Sequence, residues 1–283
     1  MPELPEVETV CVGLAKVLVG MRFAQVEPRR RDLRVPFPPD LAERLMGRSV
    51  VSVTRRAKYI LMELDGDDML LLHLGMSGRL TVGPDNGAPP GKHDHLICRF
   101  AGGDGPVVMT FTDPRRFGLC DLLPKAVVSQ HKLLRGLGVE PLGPELTPAW
   151  LGERLRGKTT TIKAALLDQR LIAGLGNIYV CEALFHAGIR PTRRAGLCSQ
   201  AQIAKLVPAI RKVLRAAIAA GGSSLRDYAH TDGRLGYFQH QFCVYDREGE
   251  PCPGCACSLS KTHGIRRVRQ GGRSSFYCAT KQV

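Results

Sequence analysis

From Pro5 to about Leu18, apolar residues recur at three- and four-residue steps. Val7, Val10, Leu14, Val17 and Leu18 share one face, which predicts an opening amphipathic helix. The pattern then shortens. β-rich runs occur at Val50–Val53, Tyr59–Leu64, Met69–Leu74, Leu96–Phe100 and Val107–Thr112. Asp65-Gly66-Asp67-Asp68 reads as a turn between two of them, and the Gly- and Pro-rich stretch from Gly83 to Gly91 as a loop. Many short strands punctuated by Gly, Pro and Asp predict a sandwich or barrel.

A second pattern begins after Gly136, Gly138, Pro141, Gly143 and Pro144, which mark a hinge. The next hundred or so residues read as helical. Ser199-x-x-Gln202 is a capping box in sequence. Ile203, Leu206, Ile210, Val213, Ala217 and Ile218 form the stripe of a helix that Gly221-Gly222 should end. Pro208 should kink this helix or mark its start. The tail from Gln241 is short-stranded and carries cysteines. The expected class is α+β: a β-sandwich or barrel with an opening helix over 1–135, a helical region over 145–240, and a small tail unit over 241–283.

Charge narrows the partners. Forty Lys and Arg against 26 Asp and Glu leave a net +14 on 283 residues. That surplus favours a polyanion, most commonly nucleic acid, with anionic lipid and ribosomal RNA as the other choices. No apolar run reaches the roughly 18 residues of a membrane span. The acidic, Pro-rich start is no secretory signal, so a cytoplasmic place is expected. Six of the ten cysteines are scattered singly and read as reduced thiols, while Cys252, Cys255, Cys257 and Cys278 cluster near the end. A terminal cluster in a cytosolic chain suggests metal before disulfide.

The start of the chain carries the most specific chemistry. Removal of Met1 would leave Pro2 with a secondary amine. An α-amino group titrates near ~8, far below lysine, so part of it is a nucleophile at neutral pH. Its attack on an aldehyde gives an iminium, an electron sink for elimination. Glu3 and Glu6 stand close enough in sequence to move protons. The same residues also suit an ordinary helix start.

Met1-Pro2-Glu3-Leu4-Pro5-Glu6-Val7-Glu8-Thr9 resembles the opening of bacterial formamidopyrimidine-DNA glycosylases. The resemblance runs in order through Arg55-Arg56-Ala57-Lys58-Tyr59, His73-Leu74-Gly75-Met76-Ser77-Gly78, Lys92-His93-Asp94-His95 and Asp113-Pro114-Arg115-Arg116-Phe117-Gly118. It continues in Gly174-Leu175-Gly176-Asn177-Ile178-Tyr179 and Gly271-Gly272-Arg273-Ser274-Ser275-Phe276-Tyr277-Cys278. It spans essentially the whole chain. Leu4 stands where the related endonuclease VIII branch typically has Gly.

The resemblance implies a base-excision repair enzyme for oxidised purines in duplex DNA, with abasic-site lyase activity. It implies Pro2 as Schiff-base nucleophile, Glu3 as general acid/base, Glu6 as its helper, Lys58 as proton donor for the first elimination and Arg273 as the residue tied to the second. A base within a duplex must be flipped out before it can be attacked. Met76, Arg115 and Phe117 match the residues that refill the void. His93, Asn177, Lys163 and Lys158 match positions that contact DNA or approach the lesion. Residues 145–240 then form a helix–two-turn–helix domain, Gly221 to Phe238 the loop over the flipped base, and 241–283 a zinc-finger-type hairpin. The expected site lies in a cleft between the domains, and the expected state is a monomer.

The metal pattern departs from the family. Cys252-x2-Cys255 is present, 22 residues separate Cys255 from Cys278, and Lys281 stands where a fourth cysteine is expected. A protonated lysine is not a usual zinc ligand. Cys257 or His263 would have to complete a Zn2+ site. This departure keeps alive an alternative, a homologue that binds lesions or abasic sites without cleaving. A basic RNA-associated protein is the other rival; it would bind undamaged nucleic acid with a steep salt dependence.

Overall fold

The computed structural model describes residues 2–103, 105–223, 231–232, 236–256 and 258–283. The chain divides into two compact units. Unit 1 comprises Met1–Arg135 with Ala220–Gln239, and unit 2 comprises Gly136–Ala219 with His240–Val283. Ala220–Gln239 thus groups with the sandwich, although it follows the helices in sequence.

In unit 1, α1 (Leu4–Leu18) is followed by β1 (Arg22–Pro28), α2 (Leu41–Leu45), β2 (Val50–Arg56), β3 (Tyr59–Leu64) and β4 (Asp68–His73). Then come β5 (Arg79–Pro84), β6 (Asp94–Ala101), β7 (Val107–Thr112) and β8 (Leu119–Pro124). The strands form two antiparallel four-stranded sheets, ordered β2-β3-β4-β8 and β1-β6-β7-β5. Their inner faces share one core. Ile60, Met62 and Leu72 of the first sheet and Phe23, Phe100 and Phe111 of the second join Val7, Val10 and Leu14 of α1 in it. Each such side chain contributes about 1.5–3 kcal/mol by leaving water. The expected sandwich with an opening helix is therefore present.

The strand prediction missed β1, β5 and β8. Of β1, only Phe23 is buried, and a bulge breaks its register to β6. An edge strand like this has no alternation to read. β5 extends into the segment expected to be a loop, as far as Pro84, paired with Val107.

Unit 2 holds α3 (Pro148–Leu155), α4 (Ile162–Leu167), α5 (Asn177–Ala187), α6 (Gln200–Ala219), α7 (Leu259–Thr262), and the hairpin β9 (Ile265–Gln270) and β10 (Arg273–Cys278). Ser199 and Gln202 make the expected capping box: the Ser199 N–H donates to Gln202 Oε1 at 3.0 Å and the Gln202 N–H to Ser199 Oγ at 3.2 Å. Pro208 lies inside α6, which runs on in both directions. Gly188 closes α5 in the left-handed region at φ 70°. Among the described residues no helix is long and apolar enough to cross a membrane.

Candidate active site and DNA-contact loops

Pro5 sits in the first turn of α1, where its missing N–H costs nothing. Glu3 is the N-cap, and its backbone N–H donates to Glu6 Oε2 at 2.8 Å. The other Glu6 oxygen accepts the Ser223 N–H at 2.9 Å and its hydroxyl at 3.1 Å. Glu6 therefore ties the start of the chain to a segment 217 residues later in the same unit. Pro2 is buried, Glu3 is 3% exposed and Glu6 2%. The positive end of α1 favours carboxylates here. Pro2 and the two carboxylates that follow it are thus all buried at the start of α1.

Lys58 stands on the two-residue turn between β2 and β3, where Arg56 pairs with Tyr59. Ala57 takes φ 54° to make that turn, a conformation costing a non-glycine residue about 1–2 kcal/mol. The turn is held against α1: Arg55 Nε donates to Glu8 at 2.6 Å, and Arg55 Nη1 to the Ala57 carbonyl at 3.0 Å. Lys58 is only 7% exposed, so it is no solvated strand edge. Burial, then the positive charges of Lys58 and Arg34, push the neighbouring His73 down to about 4. Neutral His73 accepts the Gly75 N–H on Nδ1 at 2.9 Å.

The void-filling candidates lie on two loops of unit 1. Met76 is exposed between β4 and β5, and Arg115 and Phe117 are exposed between β7 and β8. Met76 and Phe117 are thus not core residues. The Arg115 guanidinium lies 5.1 Å from the centre of the Phe117 ring. His93 is half-buried beside β6, its ring edge-on to His95.

In unit 2, Lys158 is exposed before α4 and Arg273 is exposed at the start of β10. Lys163 differs from expectation for a DNA contact. It is 1% exposed, and its Nζ donates to the Ser274 carbonyl and to Ser275 Oγ, both at 2.7 Å. Asn177 Nδ2 reaches the same Ser274 carbonyl at 3.0 Å, while its buried Oδ1 has no partner among the described residues. Both side chains brace the strand that begins with Arg273. Sequence reasoning passed over Glu182 and Ser223. Glu182, in mid-helix, accepts the N–H groups of Cys243, Val244 and Tyr245 at 2.8–2.9 Å. Its sequence signal was a carboxylate set among Val180, Cys181, Ala183 and Leu184 of α5.

The thiols of Cys252, Cys255 and Cys278 lie within 4.8 Å of one another. Cys255 Sγ and Cys278 Sγ are 3.6 Å apart. The Gly254 N–H points at Cys252 Sγ and the Lys281 N–H at Cys278 Sγ, each at 3.4 Å, as suits thiolates. This donor set fits three of the four positions of a structural zinc site. His263 does not join the cluster; it caps α7 in the left-handed region, and this corrects the expectation that it could be the fourth ligand. Cys257 lies outside the described residues. Lys281 places its ammonium 4.3 Å from the centre of the Phe185 ring.

Comparison with known proteins gives one family throughout. The formamidopyrimidine-DNA glycosylase N-terminal domain matches residues 1–120, and the formamidopyrimidine-DNA glycosylase H2TH domain matches residues 137–229. A formamidopyrimidine-DNA glycosylase of Rhodospirillum rubrum is 54% identical over the full length of both chains. That of Ruegeria pomeroyi is 52% identical, again over all of both. Among solved structures, a complex between a Lactococcus lactis FPG mutant and a Fapy-dG containing DNA superposes with a TM-score of 0.89 at 34% identity, covering 99% of each chain. The complex between the Lactococcus lactis Fpg and an abasic site containing DNA gives 0.87 at 34%, also over 99% of each.

Proposed function

The chain belongs to the formamidopyrimidine-DNA glycosylase family, and on that premise we propose that it removes oxidised purines from duplex DNA and cleaves the abasic site through Pro2. The observation that carries this reading is the start of α1, where Pro2, Glu3 and Glu6 are all buried. The capping box explains why the two carboxylates are bonded to backbone, while their near-complete burial beside the chain start costs free energy that an exposed cap would not.

Once Met1 is removed, the Pro2 nitrogen attacks C1′ of the damaged nucleotide, and the base leaves with its bonding pair. Sugar opening gives an iminium cation. Loss of a C2′ proton to a base expels the 3′ phosphate, and a second proton loss expels the 5′ phosphate. Water then releases Pro2. In this reading Glu3 moves the protons and Glu6 holds it in place. Lys58 supplies the proton for ring opening and the first elimination, and Arg273 serves the second. Exposed Met76, Arg115 and Phe117 fill the gap, while His93, Asn177 and Lys158 meet phosphates. Lys163 serves as a brace for the Arg273 strand.

A structural Zn2+ held by Cys252, Cys255 and Cys278 is part of the proposal; bound there, it clamps the hairpin to its flanking loop. The protein works as a monomer on lesion-bearing DNA in the cytoplasm. Borohydride trapping tests the function. A duplex with one 8-oxoguanine opposite cytosine, and a second with an abasic site, should both trap covalently, and an N-terminally acetylated form, which has no free α-amine, should give neither adduct. Tight lesion binding without any adduct would instead support the non-cleaving homologue.

A further inference from the structure

Asp113 is 0% exposed, yet it is an acid lying between two exposed loops. Its Oδ1 accepts the Ser77 hydroxyl at 2.6 Å, and its Oδ2 accepts the Gly118 N–H at 2.7 Å. Ser77 Oγ in turn accepts the Arg115 N–H at 3.1 Å. The backbone of Asp113 extends the web. Its N–H donates to the His93 carbonyl at 2.9 Å, and its carbonyl accepts from His95 Nε2 at 2.8 Å. One buried residue is therefore bonded to the loop of Met76, the loop of Arg115 and Phe117, and the segment of His93.

The backbones meet here as well. Gly75 has φ 61°, and a Cβ on it would run into the Phe117 carbonyl group. Arg116 takes φ 58° between the two exposed side chains. Such geometry costs free energy, as does burying a carboxylate, and it persists only where the surroundings impose it.

We propose that Asp113 and Ser77 are positioning residues that hold Met76, Arg115 and Phe117 as one pre-formed wedge for the gap left by an extruded nucleotide. The inference rests on the functional reading above. Neither residue touches the reacting atoms. A wedge fixed before DNA arrives spares the ordering cost at the moment of flipping. The device therefore acts where a duplex must be opened, and not on the amine chemistry itself.

The test compares full-length wild type, Ser77→Ala and Asp113→Asn on two substrates. One is a duplex with an abasic site opposite cytosine; the other is the same strand alone, which has no partner base to be orphaned. Single-turnover borohydride trapping on the duplex should slow by about 10- to 100-fold, the scale of a misplaced positioning group. Trapping on the single strand should stay within about twofold of wild type in the same single-turnover format. A 2-aminopurine beside the site should also lose its opening signal in the variants. Equal losses on both substrates, or no loss on either, would overturn the proposal. If Asp113→Asn does not fold, by its melting curve, Ser77→Ala decides alone. Absence of trapping by wild type on both substrates would instead sink the functional reading, and this inference with it.

Discussion

Replacing Glu182 by alanine tests how the cysteine-bearing tail is held. The carboxylate is 1% exposed and accepts three consecutive backbone N–H groups, from Cys243, Val244 and Tyr245. Burial pushes its carboxyl up, and the three amides pull it back toward the ionised form. Each amide left buried without a partner costs about 1–3 kcal/mol. Water entering the vacated space, and the desolvation no longer spent on the carboxylate, return part of that sum. The net cost should be about 3–5 kcal/mol, near the value for breaking a buried charged pair. Glu182→Gln should cost less, about 1–2 kcal/mol, because its one oxygen still serves Val244 and Tyr245. Urea unfolding gives the stability, and hydrogen exchange reads the three amides directly. They should lose protection together in Glu182→Ala while the amides of β3 keep theirs. A change under about 1 kcal/mol, or protection unaltered at residues 243–245, would refute the reasoning.

Three further outcomes are expected. His73 is held at about 4 in the folded state against its ordinary value of 6.5, so the unfolded chain binds the extra proton first as pH falls. Stability is then complete above about pH 6.5 and falls by about 3 kcal/mol toward pH 4, a limb that His73→Gln should flatten in acid-titrated melts. Lys281→Cys supplies a fourth thiol beside Cys278, and zinc competition with a chromogenic chelator should show affinity raised at least about tenfold, with no change sinking the three-thiol account. Lys163→Met removes the ammonium that holds the Ser274 carbonyl and Ser275 Oγ; faster exchange in β10 should accompany slower release of the final elimination product, whereas loss of DNA affinity alone would make Lys163 a phosphate contact.

What was legible in the sequence had local causes. The stripe of α1 and the capping box of α6 each act within a few residues, so pattern reading finds them. Strand β1 is set by its partner β6 and by Phe23 alone, which no window along the chain reveals. The site divides in the same way. Pro2, Glu3 and Lys58 were singled out as candidates through motifs. Ser223, which meets Glu6 across 217 residues, carries no local signal at all. Lys163 was visible as a lysine near a motif, but not as a buried one. Its partners Ser274 and Ser275 lie more than a hundred residues further along the chain.

The buried charges argue for function in their own right. Glu3, Glu6, Lys58, Asp113, Lys163 and Glu182 are each at most 7% exposed. Taking such groups out of water costs several kcal/mol apiece, and apolar replacements of similar size are often no less stable. A sequence shaped for stability alone would not concentrate them. The bonds of Glu6, Asp113, Lys163 and Glu182 do not run through the hydrophobic core. Glu6 fixes the chain start, Asp113 two exposed loops, Lys163 the strand of Arg273 and Glu182 the approach to the thiols. In each case the charge holds irregular backbone that apolar packing cannot orient. The cost falls where the proposed reactive and DNA-facing groups must be held to a fraction of an ångström, as chemistry on an extruded nucleotide requires.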